Sequence, residues 1–292
     1  MTGQTITVPG GRLRRLTRRH GARWPGSLRV AVAILSGAAL LALVGALALP
    51  DPNHQDLLAA FAKPGTGGHL LGADALGRDM LSGIAASIVT AAIVSVSVVV
   101  ISGTIGVFAG ILAGYRGGVI DAVVMRLVDL QLAIPPLLLF VAGAAVLGRD
   151  LLMVILLLCI PSWVPYARVV RSRVLVERER SSITAARLAG SSHLRIMRRN
   201  LLPATVKLVI VLGSLQMGWI LLWESSLSFV SLGVQPPHLS FGVLISQGRN
   251  SLAQAWWVVV FPGIVLALLV LAANSLGDGL RDKLDVDAEI LD

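Results

Sequence analysis

Charge and cysteine are scarce in this chain. Of its 292 residues, only 14% are Asp, Glu, Lys or Arg, whereas 55% are hydrophobic and the mean hydropathy is +0.80. Such an apolar composition excludes an ordinary soluble domain and indicates a protein that crosses a membrane several times. The single cysteine, Cys159, excludes an internal disulfide framework.

Motifs for common enzyme chemistry are also missing. The chain has no G-x-x-x-x-G-K-[ST] phosphate-binding loop, no H-E-x-x-H zinc motif and no G-x-S-x-G nucleophile turn. His54 and His69 lie among aspartates in one polar stretch, but their spacing matches no metal-ligand pattern. We therefore expect no catalysis, no metal site and no ATP hydrolysis by this chain alone.

The apolar runs predict an all-α polytopic membrane protein with six transmembrane helices. The predicted segments are a basic tail (1–27), a first span (28–49), a polar loop (50–83), a core with five further spans (84–280) and a short tail (281–292). A cleaved signal peptide is the alternative for the first span. Trp256 and Trp257 are expected to anchor the last span at the headgroup level.

Basic residues predict the orientation of these spans. Lys63, Arg78, Arg149 and Arg249 alone fall on one side, so that side is outside and both termini are in the cytoplasm. The same distribution explains the net charge of +9 by membrane topology, and we expect no nucleic-acid binding.

Small residues and prolines mark two of the predicted spans. Ser102, Gly106, Gly110 and Gly114 stand four apart, which lets a neighbouring helix pack closely. Packing within the chain is the default interpretation, and contact with a partner subunit is the alternative. Pro135-Pro136 should kink or interrupt the third span, which makes this point a candidate gate or wall of a translocation path.

Three of the charged residues within predicted spans are candidates for a structural or functional role. Arg126 and Asp129 are three apart on one helix, so we predict a structural ion pair in preference to a substrate contact. Glu224 lies deep in the fifth span, where a carboxylate is costly unless it is paired, protonated or hydrated. It either contributes to the translocation path, or it hydrogen-bonds a neighbouring helix or lies near the outer interface.

A long charged stretch, residues 177–203, separates the fourth and fifth spans. Its pattern predicts one or two short helices, with Ser181 or Ser182 as N-cap and Pro203 as the end of the run. Its small residues permit close approach by another protein, while its arginines attract acidic partners or anionic lipid. A basic loop held by lipid is the alternative interpretation.

This stretch resembles the cytoplasmic signature loop of bacterial ABC-importer permeases. The similarity is carried by Ala185-Ala186, Gly190 and Leu202-Pro203, with Thr184 at the position where the family usually has Glu. Two further stretches, LGADALGRDMLSGI (71–84) and ESSLSFVSLGVQPP (224–237), resemble the dipeptide and oligopeptide permeases of the same class.

The resemblance implies a type I importer permease fold with a cytoplasmic coupling helix in a bacterial cell membrane. Thr184, Ala185, Ala186, Gly190, Leu202 and Pro203 are then the residues that couple to an ATPase. The implied partners are a second permease, one or two ATP-binding subunits that hold ATP and Mg²⁺, and an extracytoplasmic peptide-binding protein. No cofactor is expected on this chain itself, which otherwise contacts membrane lipid.

The implied function is uptake of dipeptides or oligopeptides. Within the importer class, nickel chelates and glutathione-type compounds are the alternative substrates. An ion-gradient-driven secondary transporter is the alternative from another class, but such proteins usually carry several midplane ionisable groups and internal repeats. Here Glu224 is nearly alone, and no repeat is evident.

Overall fold

The computed structural model describes residues 26–148 and 150–284. The predicted basic tail therefore lies almost entirely outside the described residues, as do Arg149 and most of the predicted C-terminal tail. In chain order the α-helices are α1 (Gly26–Ala48), α2 (Met80–Arg116), α3 (Gly118–Ala133), α4 (Pro136–Leu147), α5 (Leu151–Glu177), α6 (Ser181–Leu188), α7 (His193–Ile196), α8 (Leu202–Phe229), α9 (Phe241–Gly248) and α10 (Trp257–Leu284).

Within the residues that the structure describes, five helices are each long and apolar enough to cross a membrane: α1, α2, α5, the helix that runs from His193 through α8, and α10. The pair α3 and α4 makes a sixth span if the two are counted together, although they are bent by 90° at the break between them. The all-α prediction is confirmed, and the break lies at Pro135-Pro136, where the sequence predicts it.

The start of α2 and the end of α10 differ from the predicted boundaries. α2 begins at Met80 because Asp79 caps it, accepting hydrogen bonds from the Ser82 backbone N–H (2.8 Å) and hydroxyl (2.9 Å). α10 continues to Leu284, beyond the predicted boundary at residue 280, so the start of the predicted C-terminal tail is helical.

The most extensive helix contact in the described part of the chain joins α2 to α5, and it runs along the predicted stripe of small residues. A Cβ atom on Gly110 would lie 2.7 Å from the Ala167 carbonyl oxygen and 2.9 Å from Val170 Cβ. One on Gly114 would lie 2.9 Å from Val174 Cβ. The stripe therefore packs within the chain, as the default interpretation predicts, because only hydrogen at these positions lets the two backbones meet.

The remaining helices surround this pair. α8 packs against α10, where a Cβ on Gly277 would lie 2.8 Å from Leu215 Cδ2, and α1 packs on the outer side of α10 and α2. The short α9 is buried between α8 and α10, through Phe241 (0% exposed) and Leu244 (3% exposed). α9 therefore lies inside the bundle, although the residues before and after it form loops.

One end of the bundle, which we call the loop end, carries residues 49–79 and 230–256. Trp257 does not lie at the surface as an anchor, because its indole N–H donates to the Ala73 carbonyl (3.2 Å) and its side chain is 4% exposed. Arg78 bonds Asp74 (2.6 Å) and the Gln247 side chain (2.5 Å). These contacts fasten the loop at 49–79 to α9 and α10.

Substitution of Gly110 by alanine tests the α2–α5 contact. We expect G110A to destabilise the protein by about 1–3 kcal/mol, since the added methyl group overlaps the α5 backbone. The measurement is the thermal unfolding midpoint of the purified protein in detergent.

Gly37 provides the matched control, because it lies in α1 and a Cβ there would meet no atom within 4 Å. G37A should leave the midpoint unchanged or raise it slightly through its higher helix propensity. Equal midpoints for the two variants would contradict close packing at Gly110.

Candidate functional site

The opposite end of the bundle carries residues 177–203, which we call the signature segment. It contains α6, α7 and a π-helical turn at Met197–Leu201 that leads directly into α8. The predicted N-cap of α6 is wrong, because Ser181 is already helical and Arg180 occupies the cap position, where its side chain makes no capping hydrogen bond to α6. Ser192 caps α7 instead, accepting a hydrogen bond from the Arg195 N–H (3.4 Å).

Gly190 ends α6 in a left-handed conformation, with φ of +75°. Its N–H donates to the Arg187 carbonyl (3.0 Å), and the next N–H, of Ser191, donates to the Ala186 carbonyl (3.0 Å). This pair of bonds is the Schellman motif, which satisfies carbonyls at a helix end and favours glycine. Gly190 therefore sets the turn between α6 and α7.

Polar contacts hold the signature segment against the ends of α2 and α5. The Tyr115 hydroxyl hydrogen-bonds His193 Nδ1 (3.0 Å), and the Arg187 guanidinium lies 5.2 Å from the centre of the Tyr115 ring. Arg178 donates to the Gly114 carbonyl (2.9 Å). The segment is thus attached at several points and is positioned by the same glycine-lined helix pair.

A buried carboxylate adds to this attachment at the end of α5. Glu177 is 5% exposed and pairs with Arg173 (2.9 Å) and Arg180 (3.3 Å). Because Arg173 lies in α5 and Arg180 precedes α6, the cluster fixes the angle at which the chain leaves the helix.

The outward face of the segment is exposed and partly apolar. Thr184, Ala185 and Gly190 are exposed, whereas Ala186 is half-buried against the cluster around Tyr115. Leu188 is 85% exposed and Leu194 is 71% exposed. Sequence reasoning missed these two leucines, although apolar residues inside a charged stretch are the signal that marks them.

Pro203 does not end the helical run, contrary to the prediction. The run continues because the π-helical turn precedes the proline: the Leu202 N–H bonds the Met197 carbonyl five residues back. Pro203, which has no N–H, then occupies the first turn of α8, a position where helices tolerate proline. Leu202 and Pro203 therefore join the signature segment rigidly to α8.

The predicted ion pair between Arg126 and Asp129 is wrong, because Asp129 pairs with a residue of another helix. Asp129 accepts a hydrogen bond from Arg168 of α5 (3.1 Å), and a second pair joins Asp121 to Arg171. The reason is that Val128, which is fully buried, packs α3 on α5 and brings Asp129 within reach of that helix. The two aspartates of α3 thus pair with arginines of α5, in place of the ion pair expected within α3.

A pocket of about 120 Å³ lies beside the break at Pro135-Pro136. It opens between α4, α5 and α8, and its lining residues are Pro136, Phe140, Leu158, Pro161, Ser162, Gln216, Trp219, Ile220 and Trp223. We call it the midspan pocket, because Gln216 lies at the middle of α8. The sequence analysis identified Pro136 but missed Gln216, although a lone amide inside an apolar run is a readable signal.

Gln131, just before the break, has a structural role. Its side-chain amide donates to the Ile160 carbonyl, and it accepts a hydrogen bond from the Trp163 indole (2.9 Å). Ile160 immediately precedes Pro161, one of two prolines inside α5. Gln131 thus ties the end of α3 to the proline-containing turn of α5.

Glu224 is enclosed by hydroxyl groups and does not line the midspan pocket. It is 1% exposed, and its carboxylate accepts hydrogen bonds from Ser228 (2.8 Å) and Ser225 (3.3 Å). The hydroxyl of Ser240, at the start of α9, is a third partner. These contacts favour the hydrogen-bonding alternative, in which Glu224 fastens α9 to α8, and a role in the translocation path stays a prediction.

Two serines of the same stretch test this network. The Ser228 hydroxyl donates to Glu224 and accepts from the Val234 N–H (3.1 Å), whereas the exposed Ser226 donates to the Leu222 carbonyl of its own helix. We expect S228A to destabilise the protein by about 1–3 kcal/mol, because it leaves a buried carboxylate and a backbone N–H short of partners. S226A should change stability by less than about 0.5 kcal/mol.

Thermal unfolding in detergent measures both effects, and amide hydrogen exchange locates them. Faster exchange confined to Val234 and α9 in S228A is the expected pattern. Identical behaviour of S228A and S226A would rule out a fastening role for the network.

Comparison with known proteins places these features in a family. Residues 106–286 match the family described as the binding-protein-dependent transport system inner membrane component. The chain is 34% identical to the dipeptide transport system permease protein DppC of Haemophilus influenzae over 265 residues, which cover 89% of this chain and 90% of that protein.

Two further relatives match over shorter stretches. The di/tripeptide transport system permease protein DppC of Pseudomonas aeruginosa is 41% identical, over 64% of this chain and 61% of that protein. The glutathione transport system permease protein GsiD of Pectobacterium atrosepticum is 38% identical, over 62% of this chain and 60% of that protein.

The range matched by the family includes the signature segment, the midspan pocket and the Glu224 network. The similarity to the Haemophilus influenzae protein, which covers 89% of this chain, extends to the loop end. The predicted resemblance and the predicted type I permease fold are therefore confirmed. The chain is a multi-pass membrane protein that belongs to the family of binding-protein-dependent transport system inner membrane components.

Proposed function

We propose that this chain is the permease subunit of an ATP-driven importer that takes up dipeptides or oligopeptides. The observation that carries the proposal is the signature segment, an exposed surface held firmly to α2, α5 and α8 at the family's coupling position. The relatives named as dipeptide and di/tripeptide permeases support the substrate class. An extracytoplasmic binding protein delivers the peptide.

The attachment of the segment explains how a partner's movement reaches the membrane. A displacement of α6 is transmitted through Tyr115 to α2, through the Glu177 cluster to α5, and through the continuous helix to α8. These helices then shift between inward-open and outward-open arrangements, as alternating access requires. Binding to one surface thus changes the spans without any ATP site on this chain.

Basic residues support the proposed orientation. The signature segment and the helix ends that meet it carry Arg116, Arg171, Arg173, Arg178, Arg180, Arg187, Arg195, Arg198 and Arg199. The loop end carries Lys63, Arg78 and Arg249 in the part of the chain that the structure describes. The positive-inside rule then places the signature segment and both termini in the cytoplasm of a bacterial cell, and the loop end outside.

The proposed assembly contains a second, similar permease and one or two ATP-binding subunits that hold ATP and Mg²⁺. The binding protein docks from outside, at the loop end. Thr184 replaces the usual signature Glu, so its hydroxyl, and not a carboxylate, faces the ATP-binding subunit.

Glutathione import is a second candidate function, favoured by the similarity to a glutathione permease protein. Glutathione is a tripeptide with one unusual peptide linkage, so the same type of path suits it. Substrate tests therefore need to include it beside ordinary peptides.

Purification of the tagged chain from its native membrane tests the proposal. We expect it to bring down a second permease and at least one Walker-motif ATPase, identified by mass spectrometry. The ATPase activity of the complex should rise when binding protein loaded with dialanine, trialanine or glutathione is added. Isolation of the chain alone, in a form that transports without ATP, would instead favour an ion-gradient-driven transporter.

Substitutions at Gly190 test the coupling role. Because φ is positive there, valine strains the turn between α6 and α7, whereas asparagine adopts this conformation readily. We expect G190V to lower peptide-stimulated ATPase activity several-fold and to weaken recovery of the ATPase, while G190N stays near the wild type. The amount of each variant in the membrane is the control.

A Cβ at Gly190 would meet no atom within 4 Å, so the test separates backbone conformation from crowding within this chain. Wild-type activity in G190V would show that the geometry of this turn does not matter for coupling.

A further inference from the structure

The midspan pocket contains an amide without a partner. Gln216 lies at the centre of α8, and its side chain makes no hydrogen bond to any residue in the ranges 26–148 and 150–284. An amide at this depth of a membrane span is costly unless it faces water, a ligand or another protein. Gln131 shows the contrast, since its amide is bonded on both sides to α5.

Tryptophan side chains flank this amide. Trp219 is 62% exposed near the middle of the span, and Trp223 packs edge to face on Phe140 with ring centres 5.3 Å apart. Tryptophan usually lies at the membrane interfaces, where its indole N–H meets water. Its presence beside Gln216 in mid-span indicates a polar environment at this depth.

The interrupted span next to the pocket also indicates a polar environment. Ile134 and Pro135 leave the helical path between α3 and α4, and Pro136 lines the pocket. Non-helical backbone within a membrane is tolerated where it is buried in protein or lines a water-filled cavity. The break and the unpaired amide therefore indicate, independently of each other, a wetted pocket at mid-depth.

We propose that Gln216 contacts the backbone of the transported peptide in this pocket. A glutamine amide presents one acceptor and two donors, which match the N–H and C=O groups of a peptide unit. Ser162 supports the contact: its hydroxyl donates to the Leu158 carbonyl (2.6 Å), and its oxygen still accepts a hydrogen bond. The inference rests on the proposed function and names where this chain meets its substrate.

The lining explains why the contact suits many peptides. The residues that form the pocket include no ionisable side chain, so the pocket neither selects nor repels a charged peptide side chain. The indole rings offer apolar surface to peptide side chains of different sizes. The remaining wall of the path comes from the second permease, which faces the exposed Trp219.

The rival role for Gln216 is a hydrogen bond to a helix of the second permease. Polar residues often join helices within membranes. The two roles differ in what a substitution removes, because a helix contact supports assembly whereas a substrate contact supports transport after assembly.

The experiment compares Q216L with the wild type in the complete transporter, reconstituted in liposomes with its binding protein. The probe is whichever of labelled dialanine, trialanine or glutathione the wild-type complex imports, and the readout is peptides imported per ATP hydrolysed. We expect Q216L to lower this ratio by about two- to tenfold, the effect of one lost hydrogen bond. Recovery of all subunits with the purified variant should be unchanged.

Two further variants are compared with Q216L in the same assay. L222A alters an exposed residue of α8 outside the pocket (Leu222 is 45% exposed) and should leave the ratio at the wild-type value. S162A removes only a hydroxyl that bonds its own helix, so it folds normally and should show a smaller loss of the same kind.

An unchanged ratio in Q216L overturns the inference, whatever S162A shows, even if the wild-type complex imports peptide and the proposed function stands. Loss of the second permease from purified Q216L also overturns it, in favour of the helix contact. A wild-type complex that imports none of the three probes removes the proposed function and this inference with it.

Discussion

The functional segments of this protein depend on the close approach of α2 to α5. Hydrogen atoms at Gly110 and Gly114, in place of side chains, let the α2 backbone rest on Ala167 and Val174 of α5. The same two helices end beside the signature segment, at Tyr115 and Glu177, and their contacts hold α6 and α7 in place. A wider spacing would separate these anchors, so the glycines also set the geometry of the proposed docking surface.

Polar groups inside the membrane fall into two sets once their partners are known. Glu224 and Gln131 are both satisfied within the chain, Glu224 by serine hydroxyls and Gln131 by a backbone carbonyl and an indole. The hydrogen bonds of Glu224 fasten α9 to α8, and those of Gln131 fasten α3 to α5. Gln216 has no such partner in the described part of the chain, although the cost of an unpaired amide there is high. Hydrogen bonding, and not the mere presence of a polar residue, therefore separates structural from functional candidates.

Features that depend on a single helix were predictable from local patterns in the sequence. The four-residue spacing of small residues predicted that another helix packs closely on α2, and Pro135-Pro136 predicted the break. Which helix packs on α2 was not predicted. The angle of 90° at that break depends on how α3 packs on α5 through Val128, which no local pattern contains. For the same reason Asp129 pairs with Arg168 and not with Arg126.

Other errors came from assigning a residue its usual role. Pro203 usually ends a helix, but the π-helical turn before it removes the need for its N–H. Trp257 is buried by a loop that is distant in sequence. Within the signature segment, the motif marked the proposed coupling positions. It did not predict that Ala186 is half-buried while Leu188 is exposed, because the two residues lie on different sides of α6. Their orientation follows from the packing of α6 on Tyr115.

Site-specific crosslinking tests whether the signature segment binds an ATP-hydrolysing partner, as proposed above. A photo-crosslinking amino acid would replace Leu188, which is 85% exposed in this segment, or Leu58, which is 100% exposed at the loop end. After illumination of native membranes, we expect the Leu188 position to yield an adduct with a Walker-motif ATPase, identified by mass spectrometry. We expect no such adduct from the Leu58 position. An ATPase adduct from Leu58, or adducts from Leu188 with lipid alone, would contradict the proposal.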